Sequence, residues 1–448
     1  MNQKTLLICL SACYLLVGIT LYYYLNTQSH YNPDSWPYER IAHNIAAHGD
    51  ATDPISPGQA PIQTIGYPLF LALIVKFVGS SLFAIVLVQL MLGVGVVWLL
   101  YALARRTTGQ SSALGAPLFM AGCLGWWVYP QLLLAEMVQL FLIMLFFERL
   151  SAWRSGQAAS ALMVSSCAFG LSLVIKPTLL VLLPVIPLFV WWWARQAAHA
   201  RIRNGVLWLA LAASPLAAHI GYNYYRFERV SIAPMTELNL YQCYLSKLIG
   251  HLEQRPAEQV CTHELRFNGA HTFDSAGWYQ ARGFFKQYVL NYPASAVYIW
   301  MLNVAKTALG LYMSQLKSMV SPESTGSSLS FFAQAGPLAS RVYAYTGFDQ
   351  ARALGMLGLY EILWSFMRLL LAFIGLYGLW YADRSWALLF GLTIGVSLAV
   401  TGFDGCCRYR LVVEPILALA AAVGLVSLKG LRGYLWVSPC KKYPSALN

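Results

Sequence analysis

The chain has 448 residues, of which 58% are hydrophobic and only 11% are charged, and it contains 15 Trp and 27 Tyr. A soluble domain of this size does not carry so much apolar material, so the composition predicts an integral membrane protein. The net charge of +12 does not indicate nucleic acid, because no basic face or RNA-binding motif accompanies it; Lys and Arg are expected to mark topology and contact membrane lipids.

Charge-poor stretches along the chain are candidates for transmembrane helices. They cover residues 5–25, 80–104, 112–129, 132–147, 158–175, 178–194, 205–220, 357–381, 386–401 and 411–428. No small-residue cleavage site follows the first stretch, which favours an uncleaved span over a removed signal peptide. We expect an all-α polytopic membrane protein with about ten transmembrane helices, in a range of ten to twelve.

The basic residues of the short loops set the expected orientation. If the spans alternate, one side receives Lys4, Arg105, Arg106, Arg149, Arg154, Arg195, Arg201, Arg203, Arg384, Lys429 and Arg432. The positive-inside rule makes that side the cytoplasm and places both termini there. The apolar run 297–312 is then interpreted as an interfacial or re-entrant helix, because counting it as a span would carry the basic C-terminal residues outside. The basic character and the compact loops favour a bacterial inner membrane.

This topology divides the chain into six parts. They are a first span (1–25), a first periplasmic segment (26–79), a transmembrane bundle (80–222), a second periplasmic segment (223–356), C-terminal spans (357–428) and a cytoplasmic tail (429–448). The two large exterior segments are where function is expected.

The first exterior segment contains a helix start. A capping residue at Asp34 or Ser35, Pro37 in the first turn and Gly49 as the stop predict a short helix. Asp34 lies beside the positive end of this helix, where a carboxylate stays ionised and suits a base that accepts a proton from a hydroxyl. The alternative is that Asp34 only caps the helix. The apolar stretch 65–75 is too short to cross the bilayer and is expected to lie along the outer leaflet.

Several short motifs follow one another over most of the chain. They are Asp34 with Tyr38 and Ala42, the stretch Thr64 to Leu73 with its Gly-Tyr-Pro, Leu134-Ala135-Glu136, Gly170-Leu171-Ser172 running to Lys176-Pro177-Thr178, and Arg408-Tyr409-Arg410-Leu411 running to Glu414-Pro415. Together they resemble membrane glycosyltransferases of the C superfamily (GT-C). More narrowly, they resemble the branch of mannosyltransferases and aminoarabinose transferases that use polyprenyl-phosphate sugars. In this family an early acidic residue of the first exterior loop is the catalytic candidate, which implies Asp34.

The resemblance implies an inverting transfer of one sugar from a polyprenyl-phosphate donor to a hydroxyl of a protein (such as a pilin), lipid or glycan acceptor on the periplasmic face. Such a site needs a base and fixed cations, because negative charge grows on the departing phosphate. Asp34 is the candidate base and Glu136 a second catalytic carboxylate that positions Asp34, an arginine or the acceptor. The residues predicted to bind the substrate are Tyr38, Lys176, Arg368, Arg408 and Arg410.

Each of these assignments has a structural alternative. Lys176 could place its amine among the headgroups, and Glu136 could merely pair with a basic residue. An arginine in the membrane, such as Arg368, costs about 3 kcal/mol and must face a polar cavity or a partner. Glu361, two helical turns away, is the candidate partner.

No cofactor is required by this chemistry, although a divalent cation is a candidate. His219, near an outer helix end, could help hold the cation, but a lone membrane histidine also serves as hydrogen-bonded structure. Where many relatives have two adjacent acidic residues or a charged residue before Gly-Tyr-Pro, this chain has Asp34-Ser35 and Gln63-Thr64. The cysteines form no CxxC pair, and Cys243 and Cys261 are candidates for an exterior disulfide.

Two other functions fit parts of the pattern. A lipid-linked glycan ligase or polymerase also acts outside on lipid-linked sugars, but resembles proteins whose large loop comes late in the chain. A lipid or solute transporter would explain the many spans and Arg368, but not the long first loop with Asp34.

Overall fold

The computed structural model describes residues 2–56, 61, 63–228, 230–232, 239–257, 259–260, 275–320, 337–348 and 350–431. Within these residues the secondary structure is helical and contains no strand, which confirms the all-α class. Cys261 and residues 432–448 lie outside the described residues, so the expected Cys243–Cys261 disulfide and most of the expected cytoplasmic tail are not addressed by the structure.

The α-helices are numbered in chain order. They are α1 (Gln3–Tyr24), α2 (Ser35–His48), α3 (Gly66–Phe77), α4 (Leu82–Thr107), α5 (Gln110–Ala113), α6 (Gly115–Ala121), α7 (Leu124–Val128), α8 (Glu136–Gly156), α9 (Ala159–Ile175), α10 (Ile186–Trp193), α11 (Ala198–Phe227), α12 (Ser246–Glu253), α13 (Ser275–Asn291), α14 (Pro293–Leu309), α15 (Met313–Val320), α16 (Leu338–Thr346), α17 (Arg352–Ala382), α18 (Arg384–Thr401) and α19 (Glu414–Leu431). A π-helix (Asn239–Leu245) precedes α12, and 3₁₀ turns cover Thr27–His30, Tyr129–Gln131, Pro177–Leu182 and Cys407–Val413.

Among the described residues, six helical segments are long and apolar enough to cross a membrane. They are α1, α4, α11, α17, α18 and the segment Cys407–Leu428. The pair α14 and α15 is bent by 71° and raises the number to seven if the pair forms one span. This bend falls in the run that the sequence analysis interpreted as interfacial or re-entrant.

The remaining predicted spans, 112–129, 132–147, 158–175 and 178–194, are not among these segments, so the number of about ten stays a prediction. Residues 112–129 form α6, α7 and part of α5. Residues 178–194 form a 3₁₀ turn and then α10, with Pro184 in the turn between them. A proline there lacks the N–H that a continuous helix would need.

The helix α19 lies at the centre of the bundle and packs along α17. A Cβ atom on Gly424 would lie 2.0 Å from the carbonyl oxygen of Leu371, and one on Gly375 would lie 1.8 Å from that of Ala420. Only glycine permits this approach, which is how small residues bring membrane helices together. The residues of α19 are mostly buried in the protein, whereas α1 exposes most of its surface.

The segment 26–79, predicted to be exterior, is anchored on the end of α9. A Cβ on Gly66 would lie 2.5 Å from the carbonyl oxygen of Val174, so the start of α3 rests directly on backbone. The Thr64 hydroxyl donates to the carbonyl of Ile175 at 2.7 Å. Because α2 packs on α3, these contacts fix α2 relative to Lys176, the residue that follows α9.

The described part of the segment 223–356, predicted to be exterior, has a small core of its own. Apolar side chains from the π-helix, α12 and α14 form this cluster, which includes Tyr241, Leu245, Ile249, Ala296 and Ile299.

Candidate functional site

Asp34 occupies the N-cap position of α2, but its side chain makes no capping hydrogen bond. Its Oδ2 instead accepts a hydrogen bond from Nη2 of Arg408 at 2.6 Å. The alternative in which Asp34 only caps the helix is therefore not the observed arrangement. The carboxylate faces a cation from the far end of the sequence.

Arg408 also contacts a second carboxylate. Its Nε lies 2.7 Å from Oε1 of Glu136, and the same oxygen lies 2.8 Å from Nζ of Lys176. Asp34, Glu136, Lys176 and Arg408 thus form one continuous ion-pair network, here called the charge cluster. Its members come from the start of α2, the start of α8, the end of α9 and the turn before α19.

The charge cluster is partly shielded from solvent. Its side-chain exposures are 5% for Glu136, 15% for Lys176, 15% for Arg408 and 25% for Asp34. Two negative and two positive charges balance, as buried charges must. Asp34 is the most exposed of the four side chains.

Two tyrosines border the charge cluster. The Lys176 ammonium lies 4.4 Å from the centroid of the Tyr409 ring, a cation–π contact. Tyr38 is buried and packs edge-on against Tyr67, with 4.9 Å between ring centroids. Burial, together with the negative charges of Asp34 and Glu136, raises the pKa of Tyr38 well above its ordinary value. Its phenol therefore stays protonated beside the charge cluster.

The structure brings five of the predicted site residues together: Asp34, Tyr38, Glu136, Lys176 and Arg408. Their individual roles in catalysis or binding remain predictions.

Arg368 and Arg410 lie in a different network. Nη1 of Arg368 is 2.6 Å from Oε2 of Glu414, and Nε of Arg410 is 2.8 Å from Oε1 of the same carboxylate. The Tyr312 hydroxyl donates to Glu414 at 2.9 Å. Both arginines are 1% exposed, and Glu414 is fully buried. Their geometry joins α17 to the turn before α19, while substrate binding by either arginine stays a prediction.

The alternative partner expected for Arg368 was Glu361, and the structure does not show that pair. The Glu361 carboxylate accepts the backbone N–H groups of Tyr312 at 2.6 Å and Met313 at 2.8 Å. It thus stabilises the start of α15, and Glu414 on the neighbouring helix is the partner of Arg368.

Sequence reasoning missed two residues that shape the site, Tyr409 and Gln139. Tyr409 belongs to the motif Arg408-Tyr409-Arg410-Leu411, but no role was predicted for it. The Gln139 amide donates to the Lys176 carbonyl at 3.0 Å and to the Thr178 hydroxyl at 2.9 Å. Gln139 lies one turn after Glu136 on α8, so its spacing from a candidate carboxylate is the signal that could have found it.

The residues of the charge cluster do not fit a divalent cation. Both carboxylates already face Arg408, and no group of three His, Cys, Asp or Glu side chains suited to a metal occurs in the described part of the chain. Nε2 of His219 is hydrogen-bonded to the Ile232 carbonyl at 2.7 Å. His219 therefore has the contacts of a structural histidine.

Comparison with known proteins gives a family match and a shared fold. Residues 62–221 match the family model of dolichyl-phosphate-mannose-protein mannosyltransferases. The oligosaccharyltransferase of Archaeoglobus fulgidus, tethered with an acceptor peptide, is similar in structure with a TM-score of 0.51 and 15% identity over 96% of this chain and 50% of that chain. The archaeal oligosaccharyltransferase AglB from the same organism, in complex with an inhibitory peptide and a dolichol-phosphate, has a TM-score of 0.50 and 12% identity. This match covers 96% of this chain and 52% of that chain.

ArnT from Cupriavidus metallidurans, bound to undecaprenyl phosphate, gives a TM-score of 0.42 and 13% identity over 96% of this chain and 79% of that chain. None of the curated proteins matches the chain. The chain spans about half the length of the archaeal oligosaccharyltransferase.

The described residues thus share the fold of the archaeal oligosaccharyltransferase, and six or seven of their helical segments are long and apolar enough to cross a membrane. The mannosyltransferase match over residues 62–221 supports the resemblance. The predicted class of enzyme, a glycosyltransferase, stays a proposal. The matched residues contain Glu136 and Lys176, whereas Asp34 and Arg408 lie outside them. The ion pairs of the charge cluster connect the two sets.

Proposed function

We propose that this chain transfers a single sugar from a polyprenyl-phosphate donor to a hydroxyl group of a protein, lipid or glycan acceptor. The transfer takes place on the periplasmic face of a bacterial inner membrane, and both termini lie in the cytoplasm. The observation that carries the proposal is the charge cluster, in which a partly exposed carboxylate and two cations converge from distant parts of the sequence.

The reaction we infer is a single displacement. The acceptor hydroxyl gives its proton to Asp34 as its oxygen bonds to the anomeric carbon of the sugar. The bond from that carbon to the phosphate oxygen breaks, and its electron pair leaves with polyprenyl phosphate. Attack from the opposite side inverts the anomeric carbon, and no nucleotide is consumed.

Lys176 and Arg408 would stabilise the departing phosphate. Arginine has five N–H donors and lysine three, so each can contact a phosphate oxygen while it keeps a carboxylate partner. Preorganised cations of this kind lower the barrier because they need not reorient as charge develops. Glu136 is then a positioning residue, since its Oε1 holds both cations.

Asp34 keeps the capacity to act as a base. An ionised carboxylate offers about four lone-pair sites, so the contact with Arg408 leaves acceptor capacity. The same contact favours the ionised form of Asp34, which a base requires before the reaction. No step is assigned to a metal, because the donor set does not fit one.

The proposal is tested by transfer from labelled donors. Purified protein is supplied with a panel of polyprenyl-phosphate sugars, labelled in the sugar, and with an acceptor fraction from membranes. Release of polyprenyl phosphate should equal the label transferred, and the new linkage should have the inverted configuration. The same sugars as lipid-free phosphates serve as controls and should not react.

Absence of transfer from every donor would contradict the proposal. Movement of a labelled lipid or solute across sealed vesicles, without any new glycosidic bond, would then favour a transporter. Transfer of a preassembled oligosaccharide would favour the ligase.

A further inference from the structure

A cavity of about 380 Å³ opens far from the charge cluster. Its lining includes Arg154, Trp192, Trp193, Arg195, Asp383 and Arg384. The helix α8 begins at Glu136 in the charge cluster and reaches Arg154 near its last turn. At 1.5 Å per residue this is about 27 Å along the helix, close to the roughly 30 Å of a hydrocarbon core. The cavity therefore lies at the opposite membrane face.

Arg154 is held in place on one wall. Its Nη1 lies 2.7 Å from Oδ2 of Asp383. Its guanidinium also stacks on Trp193 and Trp386, at 4.7 Å and 5.6 Å from the ring centroids. An arginine fixed in this way presents its remaining N–H groups with little loss of side-chain entropy.

Asp383 is the one acidic residue of the lining, and its oxygens have partners. Oδ1 accepts from the Ser385 hydroxyl at 2.6 Å and from the Trp386 backbone N–H at 3.4 Å, while Oδ2 faces Arg154. The helix α18 begins at Arg384, so its N-terminus lies on the same wall. The lining holds three arginines and one carboxylate, and that carboxylate is paired with Arg154. The resulting positive charge, together with the nearby helix N-terminus, makes the cavity attractive to anions.

Tryptophans place the cavity at the depth of lipid headgroups. Trp192 is 52% exposed, and its neighbour Trp191 is 48% exposed. The guanidinium of Arg384 lies 5.9 Å from the ring centroid of Trp380. Tryptophan beside arginine at the ends of spans is typical of the membrane interface.

We propose that this cavity binds the phosphate group of an anionic phospholipid in the leaflet opposite the charge cluster. Arginines recognise phosphate through paired N–H donors. The volume lies within the range of about 300–1,000 Å³ that small-molecule sites occupy. The tryptophans contact the glycerol and the upper acyl chains. This inference does not depend on sugar transfer.

The test uses the full-length protein, purified and transferred into nanodiscs of phosphatidylcholine with or without phosphatidylglycerol. Native mass spectrometry counts the lipids that stay bound after release from the disc. The variant is Arg195→Gln with Arg384→Gln, and the single variants replace it if the double variant does not fold. The matched control is Arg105→Gln with Arg203→Gln, two exposed arginines expected on the same face but outside the lining.

We expect wild type and control to retain phosphatidylglycerol in preference to phosphatidylcholine. The cavity variant should bind phosphatidylglycerol at least about tenfold more weakly, since each basic residue near the surface contributes appreciably to anionic-lipid binding. An equal loss in the control would overturn the proposal, because it would indicate attraction to net charge alone. If the wild type retained phosphatidylcholine as strongly as phosphatidylglycerol, that result would also overturn the proposal.

A second arm separates a lipid from a free phosphate ester. Glycerol phosphate or inorganic phosphate is added at millimolar concentration to the same nanodiscs. Retention of phosphatidylglycerol should be unchanged, since the acyl chains hold the lipid in the bilayer. Displacement by the free phosphates would show that the cavity serves a soluble anion, and would overturn the lipid assignment.

Discussion

Arg408 contacts two carboxylates that lie far from it in the sequence, Asp34 through Nη2 and Glu136 through Nε. A guanidinium can do this because its N–H groups point in fixed, different directions. Lysine has a single point charge on a flexible stem. The shape of the side chain at this position, and not only its charge, therefore determines how the two carboxylates are held.

Arg408→Lys should leave the fold intact and lower the rate of sugar transfer by about 10²-fold, the effect of a misplacement of about 1 Å at a reacting group. Transfer is measured with a labelled polyprenyl-phosphate sugar at saturating donor. The matched control is Arg40→Lys, since Arg40 also pairs through Nε and Nη2, in its case with Asp53. Similar rates for the Arg408 variant and wild type would contradict this role.

Sequence reasoning found the residue types of the charge cluster but not their pairing. Asp34, Glu136, Lys176 and Arg408 stood in motifs of the GT-C resemblance, whereas the ion pairs depend on tertiary contacts. For Arg368 the helical spacing suggested Glu361 on the same helix. Spacing along one helix cannot show that the next helix brings Glu414 closer.

At the scale of elements, the start of α3 shows how a close backbone contact positions the site. Gly66 rests on Val174, two residues before Lys176. A side chain here has to push α3 away from the end of α9. The Gly-Tyr-Pro motif could be recognised from the sequence, but the contact that requires its glycine could not.

Gly66→Ala should lower transfer by about tenfold to 10²-fold, because the displaced α3 moves α2 and Asp34 away from Lys176. The control is Gly221→Ala, where a Cβ would meet nothing within 4 Å. Both variants are compared for transfer rate and for binding of the donor. Unchanged transfer in Gly66→Ala would show that α3 does not set the geometry of the site.

The network around Glu414 connects α17 with the segment that leads into α19. Glu414→Gln leaves Arg368 and Arg410 buried without their carboxylate, so it should destabilise the protein by about 3–5 kcal/mol. Glu361→Gln removes the charge of a buried carboxylate that accepts backbone N–H groups, and should cost about 1–3 kcal/mol. Thermal unfolding in detergent compares the two. A larger loss for Glu361→Gln would contradict this assignment.

The long apolar helices could be predicted from hydropathy, because a span needs little besides length and apolar composition. Their breaks were harder to foresee. Pro184 interrupts the stretch predicted as one span, and the 71° bend between α14 and α15 depends on Glu361 accepting the N–H groups that the bend exposes.

At the scale of the whole molecule, the predicted topology places the charge cluster and the arginine-lined cavity on opposite sides of the membrane. A tag inserted at residues 50–53 should be accessible from the periplasm, and one at residues 107–110 only from the cytoplasm. The measurement is labelling of single tags in intact and permeabilised cells. Exterior labelling of the second tag would contradict the topology.

In the proposed function, Asp34 is the base of a sugar transfer from a polyprenyl-phosphate donor. The measurement compares release of labelled polyprenyl phosphate, and transfer of the sugar, by wild type, Asp34→Asn and Asp50→Asn. Asp50 lies in the same segment, 26–79, and contacts Arg226 and Tyr222 outside the charge cluster. Asp34→Asn should lose about 10²–10⁴-fold in rate with protein level and donor binding retained, while Asp50→Asn stays near wild type. Full activity in Asp34→Asn would contradict the claim and make Glu136 the next carboxylate to test.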